Sequence, residues 1–225
     1  MKEIKESDNT AISEFDRFSY PASSTSIDRY VIANTWTKGK KVLDAATGQG
    51  YGAGILLSLG AKNVVGIDTD EHAVEIANDL LQSPKAQFKV CDIFNLTDSF
   101  KDDEFEVCVS LETFEHLPPE RIDEYLQSLT KVTSETIIIS TPRRQSKEWE
   151  YKGGTHLKEY SADEFQEILT RNFPNSDVQG FGILEIPLRC NIPNLEVQWG
   201  SSITANIKDC VVMVAIIQLQ KIDDE

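Results

Sequence analysis

The sequence predicts an α/β fold: a doubly wound, largely parallel sheet of seven strands with helices on both faces and the last strand antiparallel. Three observations carry this. Short β-rich apolar runs alternate with helix-length amphipathic segments, the order that builds right-handed βαβ units. A glycine-rich turn follows the first of those runs. A final run, CVVMVAIIQL, comes after a long irregular stretch and can close the sheet in the opposite direction.

Residues 1–22 read as an N-terminal arm, because charge dominates residues 1–12 and no periodicity appears. After Pro21, Ser23 to Trp36 places Ile27, Tyr30, Val31, Ile32 and Ala33 in an amphipathic helix. The runs Lys41–Ala46, Val64–Asp68, Gln87–Asp92, Phe105–Leu111 and Glu135–Thr141 are short and apolar, as strands buried on both faces must be. Between and after them, Tyr51–Leu59, Glu71–Leu81, Glu120–Val132 and Ser161–Asn172 carry helical patterns. Val178–Phe181 is a sixth strand, followed by an irregular stretch through Asp209. No repeat or linker divides residues 23–225, so one domain is expected. Residues 142–160 and 183–209 are candidate insertions that could shape a binding site, the second being too long for an ordinary connection.

The chain has 225 residues, 40% hydrophobic and 26% charged, enough for one substantial core. Lys and Arg number 22 against 37 Asp and Glu, a net charge of −15. That balance repels a long polyanion, so a nucleic-acid partner is disfavoured. Cys91, Cys108, Cys190 and Cys210 lie far apart with no CxxC pair, which argues against a disulfide framework and a zinc knuckle. The polar start MKEIKESDNTAISEFD lacks a signal-peptide core, and no stretch is apolar enough to span a membrane. A cytoplasmic protein without a membrane partner is expected, and a homodimer is compatible with these features.

KVLDAATGQGYGAG, residues 41–54, is the most informative stretch. A strand ends near Asp44 and glycines open a helix, so backbone N–H groups can approach a ligand at the helix N-terminus. Gly48, Gly50 and Ala53 also satisfy the GxGxxG/A form of a dinucleotide site with Asp68 about 20 residues on. Asp44 separates the two readings: a carboxylate there repels a pyrophosphate and attracts a ligand with an ammonium and a sulfonium. Asp68 ends the second strand and can accept from both ribose hydroxyls; Asp92 ends the third and can reach an adenine amino group. The bland reading is a tight turn with polar strand ends.

These residues resemble the class I S-adenosylmethionine-dependent methyltransferases, from about Tyr30 to Glu167. The family's LDxGxGxG motif stands here as Leu43-Asp44-Ala45-Ala46-Thr47-Gly48-Gln49-Gly50, with Ala46 where glycine is usual. The resemblance implies a Rossmann-like fold and a cofactor site formed by Asp44, Ala46, Gly48, Gly50, Asp68, Asp92, Ile93 and Leu111.

A second cluster, SLETFEHLPP at residues 110–119, follows the fourth strand. If a helical turn starts there, Glu112 shares a face with Glu115 and His116, at spacings of three and four. His156, in THLKEYSADEF, follows the fifth strand and should hang over the same edge. Glu112, Glu115, His116 and His156 suit Mg²⁺, Mn²⁺, Fe²⁺ or Zn²⁺, and the share of oxygen donors leans to Mg²⁺ or Mn²⁺. The pattern looks like the ExxEH…H of small-RNA 2′-O-methyltransferases, and its first half like the quinone O-methyltransferases. That resemblance implies a metal that grips a hydroxyl and lowers its pKa. Sugar and other small-molecule methyltransferases also carry an EH pair and a later HxxEY, and acids before Pro118-Pro119 simply start a helix. His116, His156 or Glu112 then serves catalysis without a metal, a His acting as general base.

Arg143 and Arg144 could hold an acceptor phosphate or carboxylate, although solvation is the commoner fate of such a pair. Phe15, Phe18, Tyr20, Trp149, Tyr151 and Trp199 suit a lid or, equally, core packing. The sequence therefore implies methyl transfer to a hydroxyl of a sugar, nucleotide-linked sugar or similar small molecule. The rivals are RNA 3′-end 2′-O-methylation, an NAD-dependent oxidoreductase and a non-catalytic cofactor-binding module.

Overall fold

The computed structural model describes residues 24–144, 155–188, 198–205, 207–208 and 210–220. The N-terminal arm, Phe15, Phe18, Tyr20, Trp149, Tyr151 and Cys190 lie outside the described residues.

The elements run α1 Ser24–Thr37, β1 Lys41–Ala45, α2 Tyr51–Ser58, β2 Asn63–Asp68, α3 Glu71–Leu80, β3 Ala86–Val90, β4 Phe105–Leu111, α4 Ile122–Val132, β5 Thr133–Pro142, α5 Ala162–Asn172, β6 Asp177–Leu188, β7 Gln198–Thr204 and β8 Val212–Gln218. They form one eight-stranded sheet in the order β3-β2-β1-β4-β5-β8-β6-β7. β1 to β5 are mutually parallel, whereas β8 runs antiparallel between β5 and β6.

The expected seven strands are thus eight. β6 continues to Leu188, and β7 pairs antiparallel with it from Gly182↔Thr204 to Leu188↔Gln198. Within 183–209, residues 183–188 and 198–204 therefore form a β-ribbon on the sheet's edge. The segment QWGSSIT hid this, being polar and interrupted by Gly200, so neither alternation nor β-branched density marks it as a strand.

Strand residues alternate between two cores, as the two-residue pleat requires. Ile137, Ile139, Met213, Ala215 and Ile217 pack with Tyr125, Leu126, Leu129, Phe165 and Leu169 of α4 and α5. Ile138, Val214 and Ile216 pack on the other face with Tyr30 and Ala33 of α1, Leu56 of α2 and Ala77 of α3. Helix starts are locally encoded. Asp70 caps α3 by accepting from the N–H groups of His72 and Ala73, and Ser161 with Glu164 forms a capping box on α5. β1 lies between β2 and β4, where the winding reverses, so the crevice at its carboxyl end opens between the loops after β1 and β4.

Candidate functional site

The turn after β1 is built from left-handed residues: Ala46, Gly48 and Gly50 have φ of 65°, 55° and 82°. Gly50 is the N-cap of α2, and a Cβ there would meet Phe88 at 2.8 Å and Ala77 at 2.9 Å, so glycine is required for space as well as conformation. The Thr47 N–H donates to the Ile67 carbonyl (2.8 Å) and the Gly48 N–H to Asp68 Oδ2 (2.8 Å), which fastens the turn over β2.

Asp44 is 1% exposed. Thr47 Oγ1 donates to its Oδ2 (2.7 Å) and the Tyr30 hydroxyl to its Oδ1 (3.4 Å). Burial outweighs both bonds, with Asp68 adding repulsion, and pushes the carboxyl up to about 6. The crevice thus holds a desolvated acid that a cationic ligand would stabilise. Asp68 is half-buried, and its Oδ1 accepts the Asp70 N–H (3.1 Å). Exposed Asp92 accepts from the Phe94 N–H (3.0 Å) and from Asn95 Nδ2 (3.4 Å). Each carboxylate keeps lone pairs for hydroxyl or amino donors. Ile93 and Leu111 are buried at 7% and 8% exposure beside these strand ends.

Beyond β4 the expected helical turn starts later than its spacing suggested. The 3₁₀ turn is Phe114–His116, and Glu112 precedes it at φ 56°. The Glu112 N–H donates to the Ser140 carbonyl (3.0 Å) and Oγ (3.1 Å), Ser140 Oγ donates to Glu112 Oε1 (3.0 Å), and Arg29 Nη1 lies 3.6 Å from Oε2. This backbone turn directs Glu112 toward α1 and β5. The structure therefore brings Glu115, His116 and His156 together, their ligand atoms within 4.8 Å of one another, and leaves Glu112 out of that group.

Glu115 is 1% exposed. Its Oε2 accepts from Thr141 Oγ1 (2.9 Å); its Oε1 is buried without a hydrogen-bond partner and lies 3.7 Å from His116 Nε2 and 4.0 Å from His156 Nε2. Burial, reinforced by the Glu112 charge, pushes Glu115 up to about 8. The imidazole rings stand edge to face, centroids 4.9 Å apart. His156 comes to this point because the N–H groups of Leu157 (2.7 Å) and Lys158 (3.2 Å) donate to the Glu115 carbonyl. Below, Phe114 is fixed edge-on by Tyr160 (4.9 Å), Phe165 (5.4 Å) and Tyr125 (6.0 Å).

Arg143 and Arg144 are engaged elsewhere. Arg143 Nε donates to the Cys210 carbonyl (2.6 Å), and Arg144 pairs with Glu164 (2.8 Å). Both knit β5 to neighbouring segments instead of pointing a fork at an acceptor. A groove of about 400 Å³ lined by Asp102, Lys131, Asn172 and Phe173 among others lies at the opposite, amino ends of the strands, remote from these residues. Arg29, Tyr30, Thr47 and Glu159 have site contacts that the sequence did not single out. Only Glu159 had a local signal, its i, i+3 spacing from His156.

Sheet order and glycine turn together form the α/β architecture with a ligand crevice at the carboxyl end of β1. Residues 42–136 match the family model described as a methyltransferase domain. No curated protein matches the chain. Among solved structures, a SAM-dependent methyltransferase from Archaeoglobus fulgidus is 18% identical, covering 92% of this chain and 99% of that one with a TM-score of 0.66. A SAM-dependent methyltransferase from Aquifex aeolicus is 16% identical over 92% and 98%, TM-score 0.64. Magnesium protoporphyrin IX methyltransferase from Synechocystis PCC 6803, solved with bound SAM, is 15% identical over 94% and 92%, TM-score 0.62. At such identities the likeness is one of fold. Among the described residues no helix is long and apolar enough to cross a membrane.

Proposed function

We propose that the protein transfers the S-adenosylmethionine methyl group to a hydroxyl of a small molecule, such as a sugar or nucleotide-linked sugar, with a divalent metal held by Glu115, His116 and His156. The observation that carries this reading is Glu115 Oε1, buried and without a hydrogen-bond partner yet facing both imidazole Nε2 atoms. An acceptor left bare in a protein interior is costly, and two nitrogens with one carboxylate oxygen form a donor set suited to a divalent ion. The net charge of −15 favours a small acceptor over a polyanion.

Asp44, Asp68 and Asp92 hold the cofactor, with Ala46, Gly48 and Gly50 giving backbone N–H groups room to approach it. Leu111 and Ile93 supply apolar walls that exclude water, and the β6–β7 ribbon bounds the acceptor. In the reaction the acceptor oxygen attacks the methyl carbon, the sulfur–carbon bond breaks, and S-adenosylhomocysteine leaves with the electron pair. A divalent ion at the three ligands supplies acidification of the acceptor hydroxyl. The released proton passes to solvent water at the open edge of the site.

The test is calorimetric titration with S-adenosylmethionine, S-adenosylhomocysteine and NADH, with and without Mn²⁺, followed by transfer of labelled methyl to a panel of sugar and phenolic hydroxyls and a short RNA. Saturable binding of the two sulfur nucleotides, with Mn²⁺-dependent labelling of a small hydroxyl compound, is expected. Labelling confined to the RNA 3′ end, or labelling indifferent to metal removal, overturns the acceptor or the metal part respectively.

A further inference from the structure

The two imidazoles of the cluster are each gripped from behind, by different means. His116 Nδ1 lies 2.9 Å from the Thr155 carbonyl oxygen, and His156 Nδ1 lies 3.1 Å from Glu159 Oε1. A carbonyl oxygen only accepts, so His116 carries its proton on Nδ1 and, as neutral imidazole, turns the Nε2 lone pair outward. A carboxylate does the same for His156. Both lone pairs then point at the region where Glu115 Oε1 stands without a hydrogen-bond partner, at 3.7 and 4.0 Å, too far for a direct bond. Two imidazole lone pairs turned toward a buried carboxyl oxygen that bonds neither of them form an arrangement that a cation resolves.

The asymmetry between the supports is informative. The Thr155 carbonyl belongs to the chain that the Glu115 carbonyl ties down through Leu157 and Lys158, so the His116 tautomer follows from the backbone fold. His156 depends on one side chain, Glu159, 13% exposed and three residues away, on a segment with no regular helix to hold it.

We propose that Glu159 is a positioning residue of this centre, fixing His156 as the tautomer that presents Nε2 and thereby setting the affinity of the site for a divalent cation. This rests on the metal reading above. Glu159 does not touch the cation; it acts through the ring, which an outer-shell carboxylate both orients and makes more basic.

The experiment uses the full chain and Mn²⁺ as the probe. Glu159→Ala is expected to weaken Mn²⁺ binding by about 10- to 100-fold, while affinity for S-adenosylhomocysteine and the metal-free melting temperature stay at wild-type values. Glu159→Gln, whose amide oxygen still accepts from Nδ1–H, is expected to recover most of the loss. In parallel, nitrogen-15 spectra of the metal-free proteins should show His156 protonated on Nδ1 in the wild type and as a mixture of tautomers in Glu159→Ala. Equal Mn²⁺ affinity in wild type and Glu159→Ala, or a His156 tautomer that ignores the substitution, overturns the proposal. Absence of Mn²⁺ binding to the wild type overturns the metal reading instead, and the spectra then still decide whether Glu159 sets the tautomer.

Discussion

Arg29 of α1 places its Nη1 3.6 Å from Oε2 of Glu112 at the end of β4, and Arg29 is only 6% exposed. The pair joins the first helix to the reactive edge of the sheet. Removing the arginine leaves a half-buried carboxylate without that counter-charge, a loss of about 1–3 kcal/mol. Arg29→Met should therefore lower stability by that amount in urea unfolding, and Glu112→Gln in the same background should restore part of it. If the two effects simply add, the pair does not couple helix to edge.

The Asp44 carboxyl gives a pH dependence of definite sign. Its folded value of about 6 exceeds its ordinary 3.8 because burial disfavours the anion, so the folded protein holds an extra proton between those values. The contribution to stability is then lost as pH rises through roughly 4 to 6, by at most about 3 kcal/mol above pH 6. Asp44→Asn should stabilise the cofactor-free protein at pH 7 by on the order of 1–3 kcal/mol and weaken S-adenosylmethionine binding by tenfold or more. In the wild type, affinity should fall about tenfold per pH unit below 6. Melting curves and titrations across pH 5–8 read both, and a pH-independent affinity removes Asp44 from cofactor recognition.

Ala46 occupies a left-handed position, φ 65°, between residues that hold the turn. A side chain there costs about 1–2 kcal/mol, part of which is offset because alanine restricts the unfolded chain more than glycine does. Ala46→Gly should raise stability by on the order of 0.5–1 kcal/mol, a rise in melting temperature of about 2 °C for a chain of this size. A fall in melting temperature would mean that Ala46 makes contacts worth more than its strain.

These contrasts show where sequence reasoning reaches and where it stops. The strands from β1 to β5 and β8 are legible because burial on both faces forces continuous apolar runs, and Asp44, Gly48, Gly50, Asp68 and Asp92 because strand ends and tight turns constrain residue type locally. His156 was legible as a ligand candidate from its place after β5. Glu112 is different: spacing put it on one face with Glu115 and His116, but a single left-handed residue and the Ser140 contacts turn it away. Arg29 was not legible, since an arginine on a helix reads as solvated unless the surrounding fold is known. β7 was hidden for a related reason, as an edge strand leaning on β6 needs little apolar pattern of its own.

Glu115→Gln tests the centre most directly, because the two consequences run in opposite directions. The amide keeps the side-chain volume, and its oxygen can accept the Thr141 hydroxyl as Oε2 now does (2.9 Å). The NH₂ then replaces Oε1 and offers two donors toward the Nε2 atoms of His116 and His156. An uncompensated buried acceptor becomes a donor facing two acceptors at 3.7 and 4.0 Å, and once a ring shifts by less than an ångström to bond it, the metal-free protein should be stabilised by about 1 kcal/mol. The same change removes the anionic ligand and fills its place with a group that cannot bind a cation, so Mn²⁺ affinity should drop by at least two orders of magnitude. Higher stability together with lost metal binding is the signature of a site whose strain serves its ligand. If Glu115→Gln instead destabilises the fold and leaves Mn²⁺ binding unchanged, Glu115 is a structural acid and the cation, where bound at all, sits on other residues.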